Sequence, residues 1–476
     1  MTALMWICYS ERQLGTEELC QALSVDIGST DYNADDAPSI QTVLSCCQGF
    51  VVVDNGGSVV RLIHYTLREY LVSHRSFFQS PHSTVAETCL TYLNSQQVMA
   101  LSGSCSQSTR HSLFLEYSSL YWGAHMKKEP SDRGKTLALK LFSHYELHVS
   151  NSLLLEHTLG QYTINSIGEF YGFTGLHCAS IFGLVEVARD LIKMDGVDIN
   201  GMDKIGATPL LWAAISGQEA TVKLLLELEG VDPDRPDNSR QTPISWAARN
   251  GHEAVVELLL GRDDVNPDRP DYRGRTSISW AAGNGHKPVV ELLLGLEDVN
   301  PDKPDSGGYP PITWAAENGH EAVVELLLGR GDVDPDRTDN KGRTPISWAA
   351  QRGCEAVVKL LLGREDINPD RTDNRGRTPI SWAAEKGHEA VVELLLGRED
   401  VNPDKPDSRG YPPITWAAGN GHEAVVKLLL GRGDVDPDRT DNRGRTPISW
   451  AAKKGNEAVV KLLLGRKEVN PNTLDV

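Results

Sequence analysis

The strongest constraint on the fold is a seven-residue phrase that recurs every 34 residues. Thr-Pro-Ile-Ser-Trp-Ala-Ala begins at residues 242, 344, 378 and 446. Close variants begin at residues 208, 276, 310 and 412, and a diverged first copy begins at residue 174. The nine starts follow one another without insertion or deletion. A fixed period of this length predicts a solenoid of stacked units, each packing only on its neighbours.

One unit predicts two short helices and a loop. Thr242 can cap the first helix, and Pro243 suits the first helical position, where its missing N–H costs nothing. Gly251 permits the left-handed conformation that ends this helix. A second helix is predicted over residues 253–260, before a proline-rich, hairpin-like loop. The apolar stripe predicted for the second helix is Ala254, Val255, Leu258 and Leu259.

These landmarks resemble the ankyrin repeat, whose signature is Asp-x-x-Gly-x-Thr-Pro-Leu-His-x-Ala-Ala-x-x-Gly-His. The resemblance covers all nine units and is weakest in the first. It implies antiparallel helix pairs whose concave groove binds proteins. The signature histidine is Ser or Thr in most units and is retained only as His177. The usual bonds of that imidazole to neighbouring loops are therefore not expected in the other units.

A tryptophan occupies one position of eight units. We predict that it packs in the core, because the two alanines that follow leave room for a large ring. The alternative is an aromatic ladder that binds a ligand. The eight residues are Trp212, Trp246, Trp280, Trp314, Trp348, Trp382, Trp416 and Trp450.

The two residues before the glycine between the helices vary most from unit to unit, whereas the exposed Glu257 position changes only between Glu and Lys. In the ankyrin repeat these variable positions, and the position after that glycine, line the concave groove. The alternative is exposure without function. The predicted partner-binding residues are Arg249, Asn250, Asn284, Glu317, Asn318, Gln351, Arg352, Glu385, Lys386, Asn420, Lys453 and Lys454.

The first 84 residues predict a separate module. Helices are expected over residues 3–9, 16–23 (capped by Thr16) and 40–46. Two strands, residues 50–54 and 59–63, flank Asn-Gly-Gly, a strong hairpin signal. Three helices followed by a two-stranded wing predict a winged-helix domain.

The amino-acid sequence of this module also resembles that of a known family. The stretches 4–19, 47–50 and 64–71 are similar to the winged helix of fungal NACHT-type STAND proteins, often labelled after GPI inositol-deacylase. Residues 113–125 resemble the helical spacer of that family. The family's NTPase precedes its winged helix, and no phosphate-binding Gly-x-x-x-x-Gly-Lys-Ser/Thr occurs in this chain. His64 matches a histidine that contacts nucleotide in the family, and we expect it to be structural or vestigial here.

Charge and composition limit the partners. A net charge of −18 makes nucleic acid and anionic membranes poor partners and favours a basic or mixed protein. A DNA-binding winged helix is disfavoured, because residues 16–47 contain no Lys or Arg. No apolar run is long enough to span a bilayer. The eight cysteines lack Cys-x-x-Cys spacing, which indicates reduced, buried thiols in the cytoplasm and no metal site.

The sequence therefore predicts a mainly α chain: a winged helix (1–84), a helical spacer (85–165) and an ankyrin array (166–476). The predicted function is non-enzymatic protein recognition, without a cofactor or a small-molecule substrate. The alternative is the sensor half of a STAND NTPase switch. No Gly-x-Ser-x-Gly elbow or other catalytic arrangement is present to favour an enzyme.

Overall fold

The computed structural model describes residues 1–54, 56, 58–101, 113–159, 172–467 and 469–470. Its backbone divides into two compact units, Met1–Asn238 and Ser239–Val476. Both are mainly helical, as predicted.

The first unit begins with the predicted winged-helix elements. The two strands are antiparallel, with Val51 opposite Leu62 and Val53 opposite Val60. Two residues of the predicted Asn-Gly-Gly turn, 55 and 57, lie outside the described residues. The elements are α1 (Thr2–Tyr9), α2 (Thr16–Ser24), α3 (Ile40–Cys46), β1 (Val51–Val53) and β2 (Val60–Leu62).

The predicted cap of α2 is wrong by one residue. Gly15, not Thr16, is the N-cap, and its backbone N–H donates to Glu18 Oε2 at 2.8 Å. Gly15 also bridges to Val59 beside the wing, and the Thr16 N–H donates to the Ser58 carbonyl. The backbone is therefore held extended through Gly15, and helix α2 begins at the next residue, Thr16.

The helices that follow build the core of the first unit. Helix α5 packs along α7, and α7 carries three fully buried aromatic side chains, Phe114, Tyr117 and Trp122. Trp6 of α1 contacts Phe114 and Tyr117 edge-on, with ring centroids 5.8 and 5.9 Å apart. The helices are α4 (Tyr65–Ser73), α5 (Pro81–Leu93), α6 (Gln96–Met99), α7 (Leu113–Lys128), α8 (Asp132–Phe142) and α9 (Val149–Leu159).

Two repeat hairpins complete the first unit. His177 Nδ1 bonds Thr174 at the helix start, and Nε2 lies 3.1 and 3.2 Å from the Gly201 and Ala207 carbonyls. The retained signature histidine thus connects its helix to the following loop. The helices are α10 (Gly175–Phe182), α11 (Val185–Ile192), α12 (Pro209–Ile215) and α13 (Glu219–Leu226).

The second unit contains seven repeat hairpins. First helices pack on first helices of adjacent repeats, and second helices pack on second helices. The first helices are α14 (Pro243–Asn250), α16 (Ser277–Gly283), α18 (Pro311–Glu317), α20 (Pro345–Arg352), α22 (Pro379–Lys386), α24 (Pro413–Asn420) and α26 (Pro447–Lys454). The second helices are α15 (Glu253–Leu260), α17 (Lys287–Leu294), α19 (Glu321–Leu328), α21 (Glu355–Leu362), α23 (Glu389–Leu396), α25 (Glu423–Leu430) and α27 (Glu457–Leu464).

The predicted start and end of the first helix are confirmed. Thr242 Oγ1 accepts from the Ser245 N–H at 3.3 Å, with Pro243 at the first helical position. Gly251 adopts φ 76°, in the left-handed region that glycine tolerates best.

The predicted stripe of the second helix needs correction. Val255, Val256 and Leu259 are buried, whereas Ala254 is exposed and Leu258 is half-buried. The helix packs on its own first helix and on the next second helix, so its buried side is rotated toward Val256. The sequence does not show this second contact.

Loss of one helix cap should destabilise the second unit measurably. Thr378 is fully buried, and its hydroxyl accepts from the Ser381 N–H at 3.4 Å and bonds the Ser381 hydroxyl at 2.9 Å. We expect Thr378→Ala to lower the unfolding free energy by about 1–2 kcal/mol in urea denaturation. Thr440→Ala, at an exposed loop position, is the control and should change it by less than about 0.5 kcal/mol. Equal effects would contradict the cap.

Candidate partner-binding face of the repeats

A recurring aspartate organises the loop before each first helix of the second unit. Asp339 Oδ1 accepts from the backbone N–H groups of Lys341 and Arg343, at 2.7 and 2.9 Å. Its other oxygen, Oδ2, accepts from Trp348 Nε1 at 3.2 Å. The same tryptophan bond forms at Asp271, Asp305, Asp407 and Asp441. Each aspartate therefore fixes both the loop and the indole orientation.

The tryptophans are less buried than predicted. Trp212, in the first unit, is fully buried and matches the core expectation. Trp348 and Trp382 are 9% and 8% exposed, and the other five are half-buried. The core prediction is therefore wrong for those five. In four of them, Trp280, Trp314, Trp416 and Trp450, the indole N–H donates to the loop aspartate, which keeps the ring beside the loop.

Arginines stack between the tryptophans of adjacent repeats. The Arg275 guanidinium carbon lies 4.5 Å from the Trp280 ring centroid and 3.8 Å from the Trp314 centroid. Arg377 lies 4.3 and 4.0 Å from the next two tryptophan rings. We call this arrangement the Trp–Arg ladder: the seven tryptophans of the second unit with Arg275, Arg343, Arg377 and Arg445. Such contacts stabilise by about 0.5–2 kcal/mol each, depending on exposure.

Tyrosine replaces arginine in two repeats of the ladder. The Tyr309 ring lies 5.0 Å from Trp314 and 5.5 Å from Trp348, between centroids. Its hydroxyl accepts from Arg343 Nη2 at 3.0 Å. Tyr411 and Arg445 repeat this bond at 2.9 Å. The ladder thus continues through tyrosine without a break in contact.

The predicted asparagines connect successive repeats. Asn284 Nδ2 donates to the Arg249 carbonyl at 3.0 Å, and Asn318 Nδ2 donates to the Gly283 carbonyl at 2.7 Å. Asn420 donates to the Glu385 carbonyl at 3.3 Å. All three residues are exposed. Their recurrence follows from this backbone bond, so variation alone does not make them contact residues.

Ion pairs hold two of the predicted acidic residues. Arg352 Nη2 lies 2.5 Å from Glu317 Oε1, and Glu317 is nearly buried. Glu385 bonds Arg377 and lies 3.5 Å from Lys386 Nζ. Both carboxylates are therefore neutralised within the chain.

The remaining predicted residues leave a largely cationic edge. The Arg249 guanidinium lies 4.3 Å from the Trp280 ring, and Lys453 Nζ lies 5.4 Å from the Trp450 ring. Asn250 and Lys454 are exposed at the ends of their helices. The predicted residues thus follow the ends of the first helices, beside the Trp–Arg ladder.

A depression of 380 Å³ opens in the middle of this face. It is lined by Arg343, Trp348, Gln351, Arg352, Lys386 and His388. Gln351 Oε1 is buried and has no hydrogen-bond partner among the described residues. The depression combines three cationic side chains, an indole and an unsatisfied acceptor.

Sequence reasoning missed the residue before each helix cap. This position carries the ladder side chains: it is Gln241 in the first repeat of the second unit and Arg or Tyr in the six repeats that follow. The signal was present in the sequence as Arg275, Tyr309, Arg343, Arg377, Tyr411 and Arg445.

The histidine after the inter-helix glycine, which is predicted to line the groove, also joins adjacent repeats. His286 Nε2 lies 3.0 Å from the Arg249 carbonyl, and His320 Nε2 lies 3.0 Å from the Gly283 carbonyl. Cys354 and Asn456 replace it and still reach the preceding repeat. A polar atom at this position therefore serves the stacking of repeats.

His64 lies outside the repeats, at the start of α4. Its imidazole is exposed and caps this helix: Nδ1 accepts from the Thr66 N–H at 3.3 Å and lies 2.8 Å from the Thr66 hydroxyl. The ring also contacts Tyr65, with centroids 4.7 Å apart. These contacts give His64 a local structural role, and its predicted vestigial nucleotide role stays a prediction.

Helix hairpins joined by recurring bonds between neighbours define a tandem helical-repeat protein. A family model described as ankyrin repeats matches residues 176–271, 262–339, 329–407 and 399–475. The chain belongs to the ankyrin-repeat family. A second model, described as the winged helix domain of GPI inositol-deacylase, matches residues 1–83. No curated protein matches the chain. Within the described residues, no helix has the length and apolarity that crossing a membrane requires.

Proposed function

We propose that the chain recognises a protein partner through the first-helix ends and the Trp–Arg ladder of the second unit. The supporting observation is the stack of half-buried indoles and guanidiniums beside the residues that vary between repeats. Aromatic and arginine side chains supply most of the binding energy in protein interfaces. The aspartate, asparagine and histidine bonds fix the frame, so little ordering is required on binding.

The local charge favours an acidic partner segment. The chain as a whole carries −18, which alone favours a basic partner. At the proposed face, however, Glu317 is paired with Arg352 and Glu385 with Arg377, so the charges balance locally, and the largely exposed side chains of Arg352 and Lys386 line the depression. A carboxylate of the partner would meet cations there, and a donor group could satisfy Gln351 after a small side-chain rotation. Charge complementarity of this kind sets specificity and association rate.

Binding of an acidic peptide should depend on the cations of the depression. We expect Arg352→Gln combined with Lys386→Gln to weaken binding of a glutamate-rich peptide at least tenfold, or about 1.4 kcal/mol. Biolayer interferometry with the purified chain measures this change. A lysine-rich peptide and a single-stranded oligonucleotide are the comparison probes.

The matched control removes the same charge from the second helices. Lys359→Gln combined with Lys427→Gln also lowers the net charge by two, at exposed positions of α21 and α25. This pair should leave peptide binding within about twofold. Equal loss in both double variants, or tighter binding of the oligonucleotide, would contradict the proposed face.

A second candidate function is the sensor half of a STAND NTPase switch of the fungal non-self recognition type. It is supported by the match of residues 1–83 to a winged helix and by its order before the repeats. The winged helix also exposes large apolar side chains, Ile63, Tyr65, Tyr70 and Phe77, as a docked partner domain would require. Nucleotide binding by the purified chain, measured by fluorescence of a labelled ATP analogue, would favour this switch over a scaffold.

We further propose three segments: a winged helix (1–84), a spacer (85–165) and the repeat array (166–476). In this proposal the chain has no catalytic activity of its own and acts in the cytoplasm. The prediction of buried thiols is wrong for Cys46, whose thiol is exposed, and an exposed free thiol suits a reducing compartment. Quantifying accessible thiols in the chain from its native cells tests the compartment.

A further inference from the structure

A cluster of possible metal ligands lies in the first unit, away from the repeat face. Glu11, His82 and His125 each place one ligand atom within 4.8 Å of the others. Glu11 lies between α1 and α2, His82 lies on α5, and His125 lies on α7. Three separate segments thus bring two imidazoles and one carboxylate together.

The two imidazoles face each other directly. Nδ1 of His82 and Nδ1 of His125 are 2.8 Å apart, and His125 is fully buried. Two ligands on one tetrahedral zinc are about 3.3 Å apart, given Zn–N bonds of about 2.0–2.1 Å. The distance between the two nitrogens therefore needs to increase by about 0.5 Å to admit an ion. The Glu11 carboxylate, whose Oε1 lies 3.9 Å from His125 Nε2, must also turn toward the two Nδ1 atoms.

Surrounding groups already orient both rings. The Tyr117 hydroxyl lies 2.9 Å from His125 Nε2, the nitrogen opposite the one that faces His82. Tyr9 packs edge-on against His82, with ring centroids 5.3 Å apart. A ligating histidine usually bonds a partner through its other nitrogen, and Tyr117 supplies that partner here.

We propose that Glu11, His82 and His125 bind a divalent zinc ion, with a water molecule in the fourth position. Two nitrogens and one carboxylate oxygen suit zinc, whereas calcium and magnesium prefer oxygen ligands alone. Because the ligands come from α5, α7 and the α1–α2 connection, the ion would fasten the winged helix to the helices that follow it.

Lys128 competes with the ion for Glu11. Its Nζ lies 2.6 Å from Glu11 Oε1. Zinc binding must displace this ammonium or share the carboxylate with it. Removing the ammonium group of Lys128 should therefore tighten zinc binding. A variant that only destabilised the fold would not tighten it.

The test uses the purified chain after treatment with a chelator. Isothermal titration with zinc chloride should show one site, and zinc should raise the unfolding temperature. Cobalt chloride should give visible d–d bands of a tetrahedral nitrogen–oxygen site without a thiolate charge-transfer band. That absence separates this site from the free cysteines.

Variants identify the ligands. His82→Gln and Glu11→Gln should each weaken zinc binding more than about 100-fold, beyond the 10–100-fold typical of outer partners. Lys128→Met should tighten binding. His144→Gln, at an exposed histidine, and Cys46→Ser, at an exposed thiol, should leave it unchanged. Circular dichroism confirms that each variant is folded.

Two results would overturn the proposal. One is an absence of zinc binding by the folded chain. The other is binding that survives His82→Gln and Glu11→Gln or that falls with Cys46→Ser.

Discussion

Lowering the pH from 7 to 5 is expected to destabilise the first unit, and His148, His177 and Asp203 together account for about 2–3 kcal/mol of the loss. His148 and His177 are buried, and burial lowers the pKa of each to about 4. As the pH falls through 6.5, the unfolded chain takes up protons that these folded imidazoles exclude. The stability they contribute is complete above pH 6.5 and is lost progressively down to pH 4. Each contributes about 2 kcal/mol of the loss at pH 5.

Asp203 opposes this trend in part. Burial raises its pKa to about 6, so the folded state takes up this proton first and gains stability as the pH falls from 6 toward 4. The gain at pH 5 is about 1.4 kcal/mol, which is smaller than the loss from the two histidines. The net direction is therefore acid destabilisation.

Hydrogen exchange of the full chain at pH 7 and pH 5, corrected for intrinsic rates, measures the effect in helices α8 to α12. His148→Gln cannot be charged and should remove about 2 kcal/mol of the pH dependence. His144→Gln, at an exposed histidine four residues earlier, should leave the dependence unchanged. If the first unit became more stable as the pH was lowered from 7 to 5, this result would contradict the burial of these imidazoles.

Truncation of Trp212 should cost about 3–5 kcal/mol. The side chain is fully buried, its Nε1 donates to Asp203 Oδ2 at 2.8 Å, and Phe173 packs edge-on against it at 5.9 Å between centroids. Trp212→Ala leaves a large cavity and removes the donor to Asp203 Oδ2, while Oδ1 keeps its bonds from the Ile205 and Ala207 N–H groups. Urea denaturation should show a separate early transition, because each repeat contacts only its neighbours and the loss of stability therefore stays local.

Trp314 provides the matched comparison. It occupies the same phase of its repeat, but it is half-buried and one face contacts Arg275. We expect Trp314→Ala to cost about 1–2 kcal/mol, since less apolar area is exposed by the change. If both variants lost the same stability, the difference in burial between the two positions would have no energetic meaning.

The repeat period and the helix caps were predictable because they depend on residues within one 34-residue repeat. Thr242, Pro243 and Gly251 each act on the adjacent backbone, so local chemistry is sufficient. The winged-helix strands were predictable for the same reason. The family comparison confirms the ankyrin assignment, and it matches residues 1–83 to a winged helix.

Features that depend on contact between repeats, or between distant segments of the chain, were not predictable. Val256 is buried, and Trp280 stays half-exposed, because of side chains about 34 residues away. Gly15 takes the place of the expected cap at Thr16 because it forms a β-bridge with Val59, which lies 44 residues later and directly precedes strand β2. The Glu11–His82–His125 cluster likewise joins three distant segments without a spacing pattern.

The repeated order of arginine and tyrosine along the ladder has a consequence for the avidity of a partner. Arg275, Tyr309 and Arg343 are followed by Arg377, Tyr411 and Arg445 in the same order, 102 residues (three repeats) further along. A short motif that fits the first triplet meets the same side chains in the second. A partner that carries two copies of its motif on a flexible linker of matching span could occupy both triplets at once. Its second contact would then form at a high effective concentration, so that modest single-site affinity yields long residence.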